Sequence, residues 1–177
     1  MGTTYEMVTL GGGCFWCLEA VYLEVQGVIE IVSGYTGGTT PDPSYEDICT
    51  GSTGHVEVVQ VKYDTNELVF QDILNIFFSI HDPTTLNRQG NDIGTQYSSV
   101  IFYHNDNQKE VSLSTIERLT KDELWPNPVV TEIKQLGIFY RAEDYHQNYY
   151  EMNPNNPYCQ FVISPKLAKF RKQIGQK

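Results

Sequence analysis

A chain of 177 residues with 12 Lys and Arg against 22 Asp and Glu carries a formal charge of −10, and it is long enough for one domain with a substantial core. That balance disfavours phosphate backbones and anionic lipid surfaces, so neither nucleic acid nor membrane is expected as a partner. No basic-then-apolar leader opens the sequence and no run approaches the apolar length of a membrane span; a cytoplasmic monomer is the expectation. Four cysteines, Cys14, Cys17, Cys49 and Cys159, are too sparse for a disulfide scaffold and read as catalytic, redox-active or metal-bound.

Tyr5–Leu10 reads as a strand feeding Gly11-Gly12-Gly13. The spacing Cys14, Leu18, Val21, Val25 gives the apolar stripe of a helix stopped by Gly27. Val28–Tyr35 is a second strand, broken by Gly37-Gly38, and Thr39–Gly54 is a long loop. His55–Tyr63 is a strand, and Asp64–Glu67 turns the chain into an apolar helix, Val69–Ile80. A second long loop, His81–Gln96, precedes a strand at Tyr97–Tyr103, an amphipathic helix at Gln108–Lys121, a strand at Val129–Gln135 and a short helix at Ala142–Glu151. An irregular, flexible tail rich in Asn and Pro, from about residue 152, carries Cys159 and the basic end Lys166–Lys172. This order predicts a single α+β domain, a two-layer sandwich whose mixed sheet contains ferredoxin-like βαβ units. The glycine turn and both long loops then gather at one end of the sheet.

The run Gly11-Gly12-Gly13-Cys14-Phe15-Trp16-Cys17 places a thiol at the start of a helix. Free N–H groups and the positive end of the helix dipole favour thiolate over thiol there, so Cys14 reads as a nucleophile. In His55–Tyr63 the two-residue period puts His55, Glu57, Val59 and Val61 on one face, with Gln60 and Lys62 marking the wetter one. Glu57 therefore points to the covered side, either as a protonated general acid or as a carboxylate satisfied by a cation or backbone N–H. Tyr45 and Tyr97 bring hydroxyls from the two loops, where packing is the commoner role for a tyrosine. Asp92 reads equally as a turn residue. The four histidines lack metal-ligand spacing and Cys14-x-x-Cys17 has no second pair, so no metal is expected; His55 and His81 are the candidates for a base in a cysteine hydrolase. Cys17 lies one helical turn from Cys14, within reach of a local disulfide. Cys159, in the flexible tail, is also able to swing to Cys14, and Cys49 has no distinguishing context.

Several blocks in one order resemble the A-type peptide-methionine sulfoxide reductases: GGGCFWC at 11–17, Tyr35-Thr36-Gly37-Gly38, Pro43-Ser44-Tyr45, Gly51 to Glu57, His81-Asp82-Pro83-Thr84, Asp92 to Tyr97, and Tyr145-His146-Gln147. The resemblance implies reduction of the S epimer of methionine sulfoxide, free or in proteins. It matches Cys14 to the attacking thiol, Phe15 and Trp16 to the aromatics that hold the substrate methyl, and Glu57 to the acid that protonates the sulfoxide oxygen. Tyr45 and Tyr97 match the hydroxyls that bind that oxygen, and Asp92 an acidic position that serves in positioning or in the later thiol steps. It implies no cofactor, a resolving cysteine at Cys159 and thioredoxin as external reductant; with Cys17 present, resolution runs either directly from Cys14 to Cys159 or by a relay through Cys17. Two departures stand out: many members carry Gly at the position of Cys17, and many have a further tail cysteine. The rival readings are a thioredoxin-like disulfide oxidoreductase built on Cys14-x-x-Cys17, which leaves Glu57 and the loop hydroxyls without a role, and a non-enzymatic module binding Met-rich peptides through Phe15 and Trp16.

Overall fold

A computed structural model describes residues 4–175. Strands β1 (Tyr5–Gly11), β2 (Val28–Thr36) and β3 (Val56–Asp64) alternate with helices α1 (Phe15–Tyr22) and α3 (Phe70–Ile80), with a short helix α2 (Tyr45–Cys49) between β2 and β3. A two-residue hairpin, β4 (Arg88–Gln89) and β5 (Asp92–Ile93), leads to β6 (Val100–Tyr103), helix α4 (Asp106–Lys121), and the short strands β7 (Glu132–Gln135) and β8 (Tyr140–Arg141). Helices α5 (Tyr149–Met152) and α6 (Ser164–Gly175) close the chain.

The main sheet has the order β7-β6-β1-β3-β2-β8. Its four central strands run antiparallel, and only β6 and β7 are parallel. The first four long strands thus take the split βαβ arrangement expected from the sequence, and the sheet is mixed. Alternation along β3 decides which residues meet the helices. Val59 and Val61 join Leu18, Val21, Ile73, Leu74 and Phe77 in the main core, and Glu57 shares their face. Val56 and Val58 point the other way, into a smaller cluster with Val100 and Phe102 that Leu136 and Phe139 cover.

Several elements depart from the sequence reading. Helix α1 ends at Tyr22, well before Gly27. The loop 39–54 holds α2, started by a capping box in which Ser44 and Asp47 satisfy each other's backbone N–H. The strand expected from Tyr97 begins at Val100, because Thr95–Tyr97 forms a 3-10 turn; the strand expected from Val129 begins at Glu132. The helix expected over Ala142–Glu151 follows β8 and is broken into a 3-10 turn at Asp144–His146 and the single turn of α5. The break sits at Asn148, whose φ of 56° is left-handed, and at Gln147, whose amide is taken up by the backbone of Ser33 on both sides. Residues read as an irregular tail form a π-helical turn, Cys159–Ile163, running into α6. Ile163, Leu167 and Phe170, spaced four and three apart, enter the main core against α1 and α3. No helix among the described residues is long and apolar enough to cross a membrane.

Candidate active site

The turn between β1 and α1 is built by Gly13, which has φ of 93° and so a conformation open to glycine; a Cβ there would lie 2.6 Å from the Gln89 side chain. The turn delivers Cys14 as the N-cap of α1, with no side-chain cap of its own. The exposed N–H groups of the first turn are divided among the groups that matter for chemistry. Phe15 N–H donates to Glu57 Oε1 at 3.2 Å, Trp16 N–H to the Cys14 sulfur, and Cys17 N–H to Cys14 O at 3.1 Å.

Cys14 is 9% exposed. Burial pushes its thiol well above the ordinary range, reinforced by the Cys17 thiol and the Glu57 carboxyl, against which the Trp16 N–H pulls the other way. The helix start is therefore present, as the sequence suggests, but desolvation outweighs it, and the resting Cys14 is a thiol. Cys17 shifts the other way: the hydrogen bond from the Cys14 thiol lowers it in spite of burial.

Glu57 is 1% exposed. Burial raises its carboxyl to about 8, the Phe15 N–H opposing and Asp92 and Cys17 adding to the rise. Its Oε2 is buried with no hydrogen-bond partner among the described residues. Of the two roles open from the strand pattern, the backbone N–H partner is present on one oxygen only; the other oxygen is free, and burial favours the protonated form at pH 7.

Tyr45 opens α2 and Tyr97 closes the 3-10 turn, and both are half-buried. Burial raises each hydroxyl; Glu57 raises both further, and Asp92 and Cys14 also act on Tyr97. The loops of 39–54 and 81–96 thus converge on the Cys14–Glu57 pair. Asp92 accepts from Tyr158 Oη at 2.6 Å, and the same hydroxyl lies 3.9 Å from the Cys17 sulfur. Cys159 follows Tyr158 directly and is completely buried; burial raises its thiol, with Cys17 adding to the effect. All four cysteines are free. Cys49 is exposed on α2, its thiol hydrogen-bonded with Tyr45.

The two aromatics after Cys14 differ. Phe15 is fully buried, its ring against Tyr35 and His146. Trp16 is half-exposed and fixed on three sides: Tyr149 stacks on it at 3.6 Å and 5°, Tyr158 meets it edge-on, and its Nε1 donates to His146 Nδ1 at 2.9 Å.

Five contributors to this site carry no role in the sequence reading. Glu143 accepts from Tyr35 Oη at 3.0 Å and from Tyr45 N–H at 2.8 Å, tying the α2 loop to the C-terminal segment. His146 accepts the Trp16 indole N–H, and burial lowers it to about 4, so it is neutral. Tyr149 and Tyr158 frame Trp16. Glu19, on α1 and buried, accepts from Tyr149 N–H at 3.2 Å and from Ser33 Oγ at 3.2 Å. Burial raises the Glu19 carboxyl; the N–H groups of Asn148 and Tyr149 oppose that shift. The Tyr145-His146-Gln147 block was the one visible signal for this group. The two histidines considered as bases are structural. His55 Nδ1 accepts from Gly38 N–H while Nε2 donates to Thr40 O. His81 bridges Phe77 O and Ser99 Oγ, and burial lowers it to about 4. Among the described residues no three His, Cys, Asp or Glu are grouped to hold a metal ion.

Comparison with known proteins is consistent across the whole chain. Residues 6–177 match the family described as peptide methionine sulfoxide reductase. A relative from Polynucleobacter asymbioticus, named peptide methionine sulfoxide reductase MsrA, is 55% identical over 171 residues, covering 97% of this chain and 90% of its own. Mxr1 from Saccharomyces cerevisiae in reduced form superposes with a TM-score of 0.79 at 37% identity, covering 88% of this chain and 89% of its own. Mxr1 in complex with Trx2 superposes with a TM-score of 0.56 at 28% identity, covering 84% and 89%.

Proposed function

The chain belongs to the peptide methionine sulfoxide reductases, and from that premise we propose how its residues reduce the S epimer of methionine sulfoxide, free or in proteins. The observation that carries the reading is Glu57, a neutral buried acid with one unpartnered oxygen beside a buried thiol. Sulfoxide oxygen leaves poorly until it is protonated. Glu57 gives its proton to that oxygen as the Cys14 sulfur attacks the substrate sulfur, and then takes the proton that Cys14 releases. The protonated oxygen leaves the substrate sulfur as the S–S bond to Cys14 forms; hydroxide then adds to the Cys14 sulfur and that S–S bond breaks. In sum, one oxygen atom passes from the substrate, reduced by two electrons to methionine, to Cys14, oxidised to a sulfenic acid.

The raised state of the Cys14 thiol fits this cycle, because thiol and acid start with the two protons that the step uses. Tyr45 and Tyr97 donate hydroxyls to the sulfoxide oxygen without adding a cation. The exposed part of Trp16 walls the methyl group and Phe15 forms the floor beneath it. Asp92 acts through Tyr158, fixing the edge of the Trp16 frame next to Cys17.

A second thiol then condenses with the sulfenic acid, forming a disulfide and releasing water. Cys159 and Cys17 are the resolvers, and a thioredoxin returns the disulfide to thiols; the structure of Mxr1 with Trx2 supports that choice of reductant. The chain works as a monomer in the cytoplasm, where a reducing environment keeps its thiols in the free state that the cycle starts from.

The test uses reduced protein and S-methionine sulfoxide with no reductant present. About one or more methionine is expected per enzyme, with a disulfide linking Cys14 or Cys17 to Cys159, or Cys14 to Cys17, by mass spectrometry under non-reducing conditions. No methionine and four unmodified thiols would remove the reading and restore plain disulfide exchange.

A further inference from the structure

Charge is absent from the stretch of chain around Cys159. Residues 152–165 contain no Asp, Glu, Lys or Arg, although these make up 19% of the sequence, and charge resumes on either side at Glu151 and Lys166. The π-helical turn Cys159–Ile163 lies inside this stretch. Cys159 and Ile163 turn into the core, while Gln160, Phe161 and Val162 turn outward. Phe161 is 79% exposed, more than any other large apolar side chain among the described residues, and Val162 is 38% exposed.

Single exposed apolar residues are ordinary on protein surfaces. Here three features coincide: an uncharged stretch of chain on an otherwise acidic protein, an outward Phe and Val, and a redox thiol two residues away. The centre of a protein interface is depleted in charge and enriched in aromatic side chains. Isolated π turns also concentrate at functional sites.

We propose that Phe161 and Val162, with the uncharged chain around them, form the face on which a thioredoxin seats to reduce the disulfide of Cys159. The proposal rests on the reductase reading above and assigns the docking of its reductant. The exchange fixes where that partner must sit. A thiolate of the reductant attacks the Cys159 sulfur, and the bond from Cys159 to its partner cysteine breaks. That partner leaves as a thiolate and takes a proton. The reductant's second thiol then attacks the intermolecular disulfide, carries away both of its own sulfurs oxidised, and restores the Cys159 thiol. Cys159 is enclosed in the reduced protein, so the outward side chains of its own turn are the contacts a partner meets first.

Turnover of S-methionine sulfoxide is measured with dithiothreitol and, separately, with a purified thioredoxin, its reductase and NADPH. In the full chain carrying Phe161→Ser and Val162→Ser, the KM for thioredoxin is expected to rise about tenfold. Turnover driven by dithiothreitol stays within about twofold of the parent, and Phe161→Leu, which keeps an apolar side chain, recovers most of the thioredoxin affinity. An unchanged KM for thioredoxin overturns the proposal, as does an equal loss with both reductants. A rise only in the KM for an oxidised protein substrate also overturns it, because the face would then receive substrate. A parent inactive with both reductants removes the reductase reading itself, and the docking face with it.

Discussion

Glu57 and Glu19 are both carboxyls sealed inside this protein, and both adjoin helix α1, yet their surroundings differ in one respect. Glu57 accepts a single N–H from the start of the helix and leaves its second oxygen without a partner. Glu19 has both oxygens occupied, one by Tyr149 N–H and one by Ser33 Oγ. Burial raises both, Glu57 to about 8 against one N–H, while three hydrogen bonds, from Asn148, Tyr149 and Ser33, oppose the rise at Glu19. An unsatisfied buried acid is costly to a fold and is retained where chemistry uses it, whereas a satisfied one holds parts together. Glu19 caps the strained entry to α5 at Asn148 and so fixes the ring that Tyr149 lays on Trp16. One carboxyl thus meets the substrate oxygen, and the other positions the wall beside it.

The sharpest break of this comparison is Glu57→Gln. Loss of a general acid is expected to slow methionine formation about 10²–10⁴-fold, while alkylation of Cys14 by iodoacetamide continues near the parent rate. In the parent, the acid exists below its value of about 8, so turnover should fall as pH rises through 8. Stability follows the same group with a definite sign. The folded carboxyl lies above the ordinary value of 4.5, so the unfolded chain sheds this proton first and folded stability declines from pH 4.5 to 8. Glu57→Gln removes that decline, and its thermal midpoint above pH 8 should exceed the parent's. A variant that is inactive and also less stable at pH 8.5 would contradict the distinction between the two carboxyls.

Glu19→Gln should give the opposite pattern. An amide presents an N–H to donors where the carboxylate presented an acceptor, so one tether is lost and α5 loosens beneath Tyr149. The expected result is a KM for the sulfoxide about fivefold higher, a kcat within about twofold of the parent, and a lower thermal midpoint, since about 1 kcal/mol is removed from a contact that positions the wall. In a Trp125→Phe background, the emission of Trp16 should shift as its stacking partner moves, and Glu19→Asp should recover part of the KM. A fall in kcat with unchanged KM and unchanged Trp16 emission would place Glu19 in the chemistry instead.

The same two residues show what the sequence makes legible. Glu57 lies in a strand whose two-residue period is strict, so its neighbours at Val59 and Val61 reveal which way it points. Cys14 follows a glycine turn into a helix, again a local pattern. Glu19 sits in an equally regular helix, but its partners Ser33 and Tyr149 come from two distant parts of the chain, and no spacing announces them. The break of the helix over Ala142–Glu151 has the same origin, since Gln147 is claimed by the backbone of a strand more than a hundred residues earlier. Two misses were local after all. Ser44-x-x-Asp47 is a capping signal inside what reads as a loop, and the stripe Ile163, Leu167, Phe170 announces α6 within a stretch that composition made look irregular. The raised state of Cys14 was not accessible from sequence, because it depends on how completely the first turn is covered.

The smallest expected effect comes from Ser33→Ala, which separates the tether from the carboxylate that it holds. Ser33 Oγ donates to Glu19 Oε2, while the backbone of Ser33 clamps Gln147 and does not depend on the side chain. Removing the hydroxyl leaves one Glu19 oxygen unsatisfied and the Tyr149 N–H contact in place. About 1 kcal/mol of stability is at stake, read as a fall of about 3 °C in the thermal midpoint for a domain of this size. The KM for sulfoxide should change by less than about twofold, because Tyr149 keeps its anchor. A KM shift as large as that of Glu19→Gln would mean that the hydroxyl, rather than the carboxylate's grip on α5, sets the position of Trp16. An unchanged midpoint would mean that Glu19 draws its second partner from elsewhere, and the contrast with Glu57 would then rest on the Tyr149 contact alone.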